Sequence, residues 1–166
     1  MLTKPEFLAA LSRENKILLH LASRLEARHL GFRFTPPQRS TLELLQYLTI
    51  NAQAGVGYYL GGSWAHWEAL EAQAKTVTLA TFPAALKAQQ RAVAQLLKGV
   101  SDQAFLRRPV TAMLGRGRPT LAQALAATTL TMAAGYRMQL FLQAKAAGVA
   151  RLGSSDLWAG KAAKAG

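Results

Sequence analysis

Apolar side chains recur every three or four residues along most of the chain, which is the spacing of one face of an α-helix. β-branched residues are few and scattered, and no run alternates between apolar and polar residues as a half-buried strand would. Alanine and leucine, which lose little side-chain freedom in a helix, are abundant. The pattern therefore predicts an all-α protein.

Start and stop signals mark four long helices in this sequence. A serine or threonine three residues before a glutamate, the spacing of a capping box, opens the first two, and a proline lies in the first turn of the third. Glycines follow the last turn of all four. The predicted helices run from about Thr3 to Leu30, from Ser40 to Gly61 and Gly62, from Thr81 to Gly99, and from Pro119 and Thr120 to Gly148.

Comparable helices with one apolar face each predict a four-helix bundle. The bundle is expected to form a single domain over residues 1–150, and residues 151–166 form a C-terminal tail. Within this tail, Trp158 is expected to bury its ring against the bundle.

Two of the predicted helices carry polar side chains on the face that should point inward. Tyr47 and Asn51 lie on this face of the second helix, in register with Leu44 and Leu48. The corresponding face of the fourth helix carries Thr128, Met132, Tyr136 and Gln139. Helical bundles build metal and ligand sites from side chains on facing helices, so these six polar, aromatic and thioether side chains form the candidate site. The alternative interpretation is that they bond one another and fill core volume, since most buried polar groups have a hydrogen-bond partner.

Three stretches of the sequence carry a family resemblance: TLELLQYL in the second helix, FPAALKAQQRAVAQLLKGVSDQAFLRR, and GYRMQLFLQAKAAG with Arg137 and Gln139. From about residue 5 to 150, the chain resembles the DinB-like, or YfiT-like, proteins. The resemblance implies an up-down-down-up four-helix bundle, usually a homodimer, with a divalent zinc, nickel or iron ion held by three histidines. It also implies metal-dependent thiol transfer, isomerisation or hydrolysis, although many members have no known activity.

The three histidines that the resemblance implies are absent from this sequence. Tyr47 occupies the position of the metal ligand that the resemblance implies in the second helix. Met132 and Tyr136 occupy the positions of the other two metal ligands, one turn apart in the fourth helix. Phenol and thioether are poor substitutes for imidazole at zinc, nickel or iron. We therefore expect no metal cofactor at these positions.

The remaining histidines do not supply another metal site. His20 and His29 lie on opposite faces of the predicted first helix, and His66 is expected near the surface beyond the glycine pair. The sequence has no HExxH motif and no phosphate-binding glycine fingerprint. No catalytic constellation stands out, and whether the protein is an enzyme stays open.

The net charge of +12 is unevenly distributed. Residues 1–72 carry seven basic and six acidic side chains, whereas residues 73–166 carry thirteen basic side chains against Asp102 and Asp156. Such asymmetry can attract acidic ligands, nucleic acid or anionic membranes, although a solvated surface is the simpler explanation. One predicted loop concentrates Arg107, Arg108, Arg116 and Arg118.

The composition also bears on the compartment. The chain contains no cysteine, which excludes disulfides, thiolate metal sites and cysteine catalysis. Glu6, Arg13 and Glu14 interrupt the region where a signal peptide would be apolar. The uncharged stretches 44–67 and 119–136 are too polar to span a bilayer. A cytoplasmic protein without a membrane segment is the prediction.

Three functions remain open at this point. The first is a DinB-like homodimer that has lost its metal site and binds a small molecule in the bundle core. The second is an active metal-dependent thiol transferase or hydrolase of the same family. The third is a basic bundle that binds nucleic acid through its arginines, which neither a recognition helix nor an RNA-binding motif supports.

Overall fold

The structure, a computed structural model, describes residues 2–162, and most of them are helical. The helices are α1 (Lys4–Ser23), α2 (Thr41–Leu48), α3 (Asn51–Gly61), α4 (Trp67–Lys75), α5 (Phe82–Lys98), α6 (Asp102–Arg107), α7 (Leu121–Leu125), α8 (Thr131–Ala146) and α9 (Ser154–Ala159). A 3-10 turn, Ala27–His29, follows α1, and a π-helical segment, Ala126–Leu130, joins α7 to α8. The all-α prediction is confirmed.

The first helix is shorter than the sequence predicts. Its start is as expected, since the side chains of Thr3 and Glu6 form a reciprocal capping box. It ends at Ser23 rather than near Leu30, and the chain continues into the 3-10 turn. The physical reason lies in His29, which is buried and whose Nδ1 accepts a hydrogen bond from the Glu26 N–H at 2.9 Å. This bond holds the turn, so His29 does not lie on the same helix as His20.

The predicted second helix is divided into α2 and α3 at Thr49 and Ile50. Gln89, a buried residue of α5, bridges the break. Its Nε2 donates to the carbonyl of Leu48 at 2.8 Å, and its Oε1 accepts from the N–H of Ala52 at 2.9 Å. These bonds satisfy backbone groups that an unbroken helix would have paired internally.

The predicted fourth helix contains a π-helical turn. α7 begins with a capping box between Thr120 and Gln123, as its predicted start requires, and α8 ends close to Gly148, whose φ is 94°. Between them, the Thr128 hydroxyl donates to the Ala124 carbonyl at 2.8 Å. The widened turn changes which side chains of this helix face α3.

The longer helical segments pack around a shared interior. α1 contacts α5 and α8, α3 contacts α5, and α2 contacts α8. Two clusters of buried side chains fill the space between them, one around Phe7, Val56 and Phe105 and the other around Leu21, Leu44 and Phe82. Within residues 2–162, strand-like pairing is limited to one isolated bridge between Pro109 and Thr120.

An ion pair lies inside this packing. Glu14 on α1 and Arg137 on α8 are both 6% exposed. Arg137 Nη1 lies 3.0 Å from Glu14 Oε1, to which it donates a hydrogen bond, and 2.9 Å from Oε2. Along α1, Glu14 separates Leu11 of one cluster from Ile17 of the other.

The described part of the C-terminal tail packs against α1 and α8. Leu152 and Leu157 are buried, and Asp156, also buried, lies 2.7 Å from Nε2 of His20. Trp158 is 60% exposed, so the prediction that its ring is buried against the bundle is wrong. Its ring instead lies over the Arg137 guanidinium, with 4.8 Å between the guanidinium carbon and the ring centroid.

No helix in the described part of the chain combines the length and the apolar character needed to cross a bilayer.

Candidate functional site

The polar faces of α2 and α8 meet at Tyr47 and Tyr136. Their rings form an edge-to-face pair with centroids 5.0 Å apart. On its other sides, Tyr47 contacts Trp67 of α4 at 6.2 Å between centroids and the guanidinium of Arg39 at 4.1 Å from the ring centroid. Edge-to-face aromatic pairs and a guanidinium over a ring are both favourable arrangements. Tyr47 is thus fixed from three directions.

This environment keeps the hydroxyl of Tyr47 protonated. Burial and the neighbouring Tyr136 raise the pKa of Tyr47 to about 12, against an opposing effect of the Arg39 charge. A phenol binds a metal ion strongly only after losing its proton. Tyr47 therefore gives up its proton to a metal ion less readily than an ordinary tyrosine, which is itself neutral near pH 7.

A small cavity of about 50 Å³ lies beside the tyrosine pair. Four of the six residues singled out from the sequence line it: Tyr47, Asn51, Thr128 and Met132. Tyr136 lies behind Tyr47, and Gln139 is partly buried but does not line the cavity. A volume of this size holds a few water molecules, whereas pockets for organic ligands have roughly 300 Å³ or more.

The π-helical segment contributes a residue that the sequence analysis missed. Thr129 lines the cavity, and its hydroxyl is buried without a hydrogen-bond partner among residues 2–162. The facing helix α3 approaches closely at Gly55, where a Cβ would lie only 3.3 Å from Thr129 Oγ1. π-helical turns often occur at functional sites.

A larger groove opens on the solvent side of Tyr47 and has a volume of about 340 Å³. Its walls come from the loop before α2, from α2 itself and from α4. Tyr47 and Trp67 line both the groove and the small cavity, so their rings separate the two spaces. This groove is not predictable from the helical spacing, which indicates no helix at α4.

Three basic side chains line the groove, and two of them are paired. Arg33 lies 3.2 Å from Glu43, and Lys75 lies 4.0 Å from Glu71. A hydrogen bond from the Ser40 N–H, helped by the charges of Arg33 and Arg39, holds the pKa of Glu43 below its usual value. Within residues 2–162, the Arg39 guanidinium pairs with no carboxylate. The groove therefore offers one unpaired guanidinium stacked on an aromatic ring.

The side chains present do not fit a metal centre of the kind that the resemblance implies. The three corresponding positions supply two phenols and one thioether, which suit zinc, nickel and iron poorly. Among the described residues, no three His, Cys, Asp or Glu side chains are grouped closely enough to hold an ion. His20 contacts Asp156, and His66 is exposed, as its position predicted.

Comparison with known proteins adds no family assignment. Neither the protein-family models nor the curated proteins contain a match to this chain.

Proposed function

We propose that the protein is a DinB-like four-helix bundle in which Tyr47, Met132 and Tyr136 have replaced the metal site, and that it binds a small organic anion. The ligand lies in the groove beside Tyr47. The observation that carries this proposal is the unpaired guanidinium of Arg39, held 4.1 Å from the Tyr47 ring centroid in a groove of about 340 Å³.

The bundle topology rests on the packing of four helical segments. The four segments are α1, the pair of α2 and α3, α5, and the stretch from α7 to α8. α1 contacts α5 and α8, and the pair of α2 and α3 contacts the same two helices, so the contacts form a closed ring. This ring is compatible with the up-down-down-up arrangement. Homodimer formation belongs to the same proposal, and sedimentation at micromolar concentration tests it.

The chemistry of Arg39 points to the class of ligand. A guanidinium presents parallel N–H donors that match the two oxygens of a carboxylate or phosphate. Stacking on Tyr47 holds the guanidinium plane before a ligand arrives, which lowers the entropic cost of binding. Trp67 supplies an aromatic wall for the apolar part of the ligand. A small aromatic carboxylate or phosphate therefore suits the groove best.

The ligand is placed in the groove rather than in the core because the core cavity is too small. Its 50 Å³ accommodates water, and water there would provide the partner that the Thr129 hydroxyl lacks. Tyr47 lines both the groove and the core cavity, so a ligand bound in the groove contacts the same ring that covers the cavity.

Two other functions have weaker support. A metal-dependent transferase or hydrolase needs ligands that the tyrosines and Met132 do not supply, and the raised pKa of Tyr47 works against phenolate coordination. A purely structural protein would bind none of the anions described next.

Calorimetric titration tests the proposal with three probes of similar shape: benzoate, phenyl phosphate and the neutral benzamide. We expect at least one anion to bind and benzamide to bind at least about tenfold more weakly, because it lacks the charge that Arg39 recognises. Failure of both anions to bind, or equal binding of benzamide, would overturn the proposal.

Variants then assign the binding to Arg39. Arg39→Ala is expected to weaken the anion by about tenfold or more, and Arg39→Lys by nearly as much, because lysine keeps the charge but loses the planar fork. Arg13→Ala is the matched control, since Arg13 is exposed, forms no ion pair within residues 2–162 and does not line the groove. Equal affinity in Arg39→Ala and Arg13→Ala would contradict the assignment.

A further inference from the structure

A second concave surface lies at the C-terminal end of α3, near Gly61. It has a volume of about 310 Å³ and is lined by Tyr58, Tyr59, Arg108 and Arg118, together with residues 60–62 and 109–111. No acidic side chain lines it. We call this surface the arginine concavity.

Backbone hydrogen bonds hold its two arginines on opposite sides of one bend. The Val110 N–H donates to the Pro119 carbonyl at 2.9 Å, and the Leu121 N–H donates to the Arg108 carbonyl at 2.8 Å. The bend itself contains Gly115 and Gly117, whose φ values of 80° and 111° suit glycine best. Arg108 and Arg118 therefore converge because the chain reverses between them.

Arg108 also anchors the bend to α3. Its Nη2 donates to the carbonyl of Leu60 at 3.3 Å, at the end of α3 where carbonyls lack helical partners. This contact uses one of the guanidinium N–H groups and leaves the others for a ligand. It fixes the side chain at the wall of the arginine concavity.

Two further arginines extend the positive surface. Arg107 ends α6 and Arg116 lies in the bend, and both are exposed. Within the part of the chain that the structure describes, none of the four arginines forms an ion pair with a carboxylate. Two of these arginines line the arginine concavity and the other two lie within two residues of them along the chain, a spread of charge that suits a ligand with several phosphates better than a single ion.

Aromatic rings lie next to this charge. Tyr58, which lines the arginine concavity, stacks on Trp64 with centroids 4.7 Å apart and an angle of 29° between the rings. Trp64 is 45% exposed, so part of its ring remains open to a further planar group. Proteins that bind single-stranded nucleic acid combine a basic groove with aromatic rings on which bases stack.

We propose that the arginine concavity binds single-stranded nucleic acid, with phosphates at Arg108, Arg116 and Arg118 and a base on the stack of Tyr58 and Trp64. This site is separate from the groove at Tyr47 and shares no lining residue with it. The strong excess of positive charge in residues 73–166 favours the encounter with a polyanion.

The test measures fluorescence anisotropy of a labelled twelve-nucleotide poly-U strand between 50 and 200 mM salt. Two double variants with the same net charge are compared. Arg116→Ala/Arg118→Ala removes one arginine that lines the arginine concavity, Arg118, and one from the adjoining bend, whereas Arg13→Ala/Arg91→Ala removes exposed arginines of α1 and α5. We expect the first pair to weaken binding roughly tenfold or more at 50 mM salt and to lower the salt slope by about 1.4, or 0.7 for each lost contact. The Arg13→Ala/Arg91→Ala variant should leave the affinity at 50 mM salt and the salt slope almost unchanged.

Three results would overturn the proposal. The first is no binding of the strand at 50 mM salt. The second is an equal loss in both double variants, which would mean that only the overall charge attracts the strand. The third is binding of uridine monophosphate as tight as that of the strand, which would assign the arginine concavity to free nucleotides.

Discussion

Tyr47 and Tyr136 lie edge to face with their ring centroids 5.0 Å apart, and the first of these rings also supports the guanidinium of Arg39. One phenol thus links the interior of the protein to the groove on its surface. The arrangement combines a neutral hydroxyl, a fixed cation and a small polar cavity within a few side chains.

The ionisation of Tyr47 offers a direct check on this environment. With its pKa raised to about 12, Tyr47 should lose its proton about two pH units above an ordinary tyrosine. The phenolate absorbance at alkaline pH should show this late deprotonation in the wild type and not in Tyr47→Phe. Because the folded protein holds this proton more tightly, the contribution to stability is present below about pH 10 and is lost as the pH rises towards 12. An unchanged late step in Tyr47→Phe would assign it to another residue.

Gln89→Ala should destabilise the protein by opening the junction between α2 and α3. The substitution removes the bonds to Leu48 and Ala52, and a buried carbonyl without a partner costs about 1–3 kcal/mol. Urea unfolding measures the free energy of unfolding. Gln95→Ala, at an exposed position of the same helix, is the control and should change it by about 0.5 kcal/mol or less. Equal effects of the two substitutions would show that the Gln89 bridge contributes nothing.

This bridge also shows where sequence reasoning reached its limit. The first turns of α1, α2 and α7 were predictable because their capping side chains lie within three residues of the backbone groups that they satisfy. The break before α3 was not, because it depends on Gln89 and its hydrogen bonds to a distant part of the chain. Local helical spacing continues through the break and gives no sign of it.

The candidate site likewise has a part that local sequence predicts and a part that depends on distant contacts. Helical spacing assigned Tyr47 and Tyr136 to facing surfaces, and their rings are in contact. It could not identify Thr129, because this residue lies within the π-helical turn, where the regular spacing of an α-helix does not hold. Nor could it identify Arg39, since the groove needs a loop and α4 to fold against α2. Sites built within one helix face are visible in sequence, whereas sites built by a tertiary contact are not.

Removing one member of the buried ion pair should be costly. Glu14→Ala leaves the Arg137 guanidinium buried without its counterion, which typically destabilises a protein by about 3–5 kcal/mol. The double variant Glu14→Leu/Arg137→Leu should be more stable than Glu14→Ala, because it leaves no buried charge. Chemical denaturation of both variants provides the comparison. A double variant that is less stable than the single one would contradict this explanation.

The contact between α9 and α1 should be sensitive to acid. Burial alone would raise the pKa of Asp156, but hydrogen bonds from the Gly153 N–H and His20, with the His20 and Arg24 charges, lower it overall. A carboxyl with a lowered pKa stabilises the fold above about pH 4 and loses that contribution as the pH falls through the folded-state value. Thermal unfolding between pH 5 and pH 2 should therefore show a smaller loss of Tm in Asp156→Asn than in the wild type. Identical pH dependence in the two proteins would rule out this role of Asp156.

Metal content after incubation with zinc, nickel or iron(II) tests most directly whether tyrosines and methionine have replaced a metal site. Plasma mass spectrometry of the untagged protein, after removal of unbound ions, should find far less than one ion per chain. About one ion per chain, lost in Tyr47→Phe or Met132→Leu, would contradict the proposal and would identify these residues as part of a working metal centre.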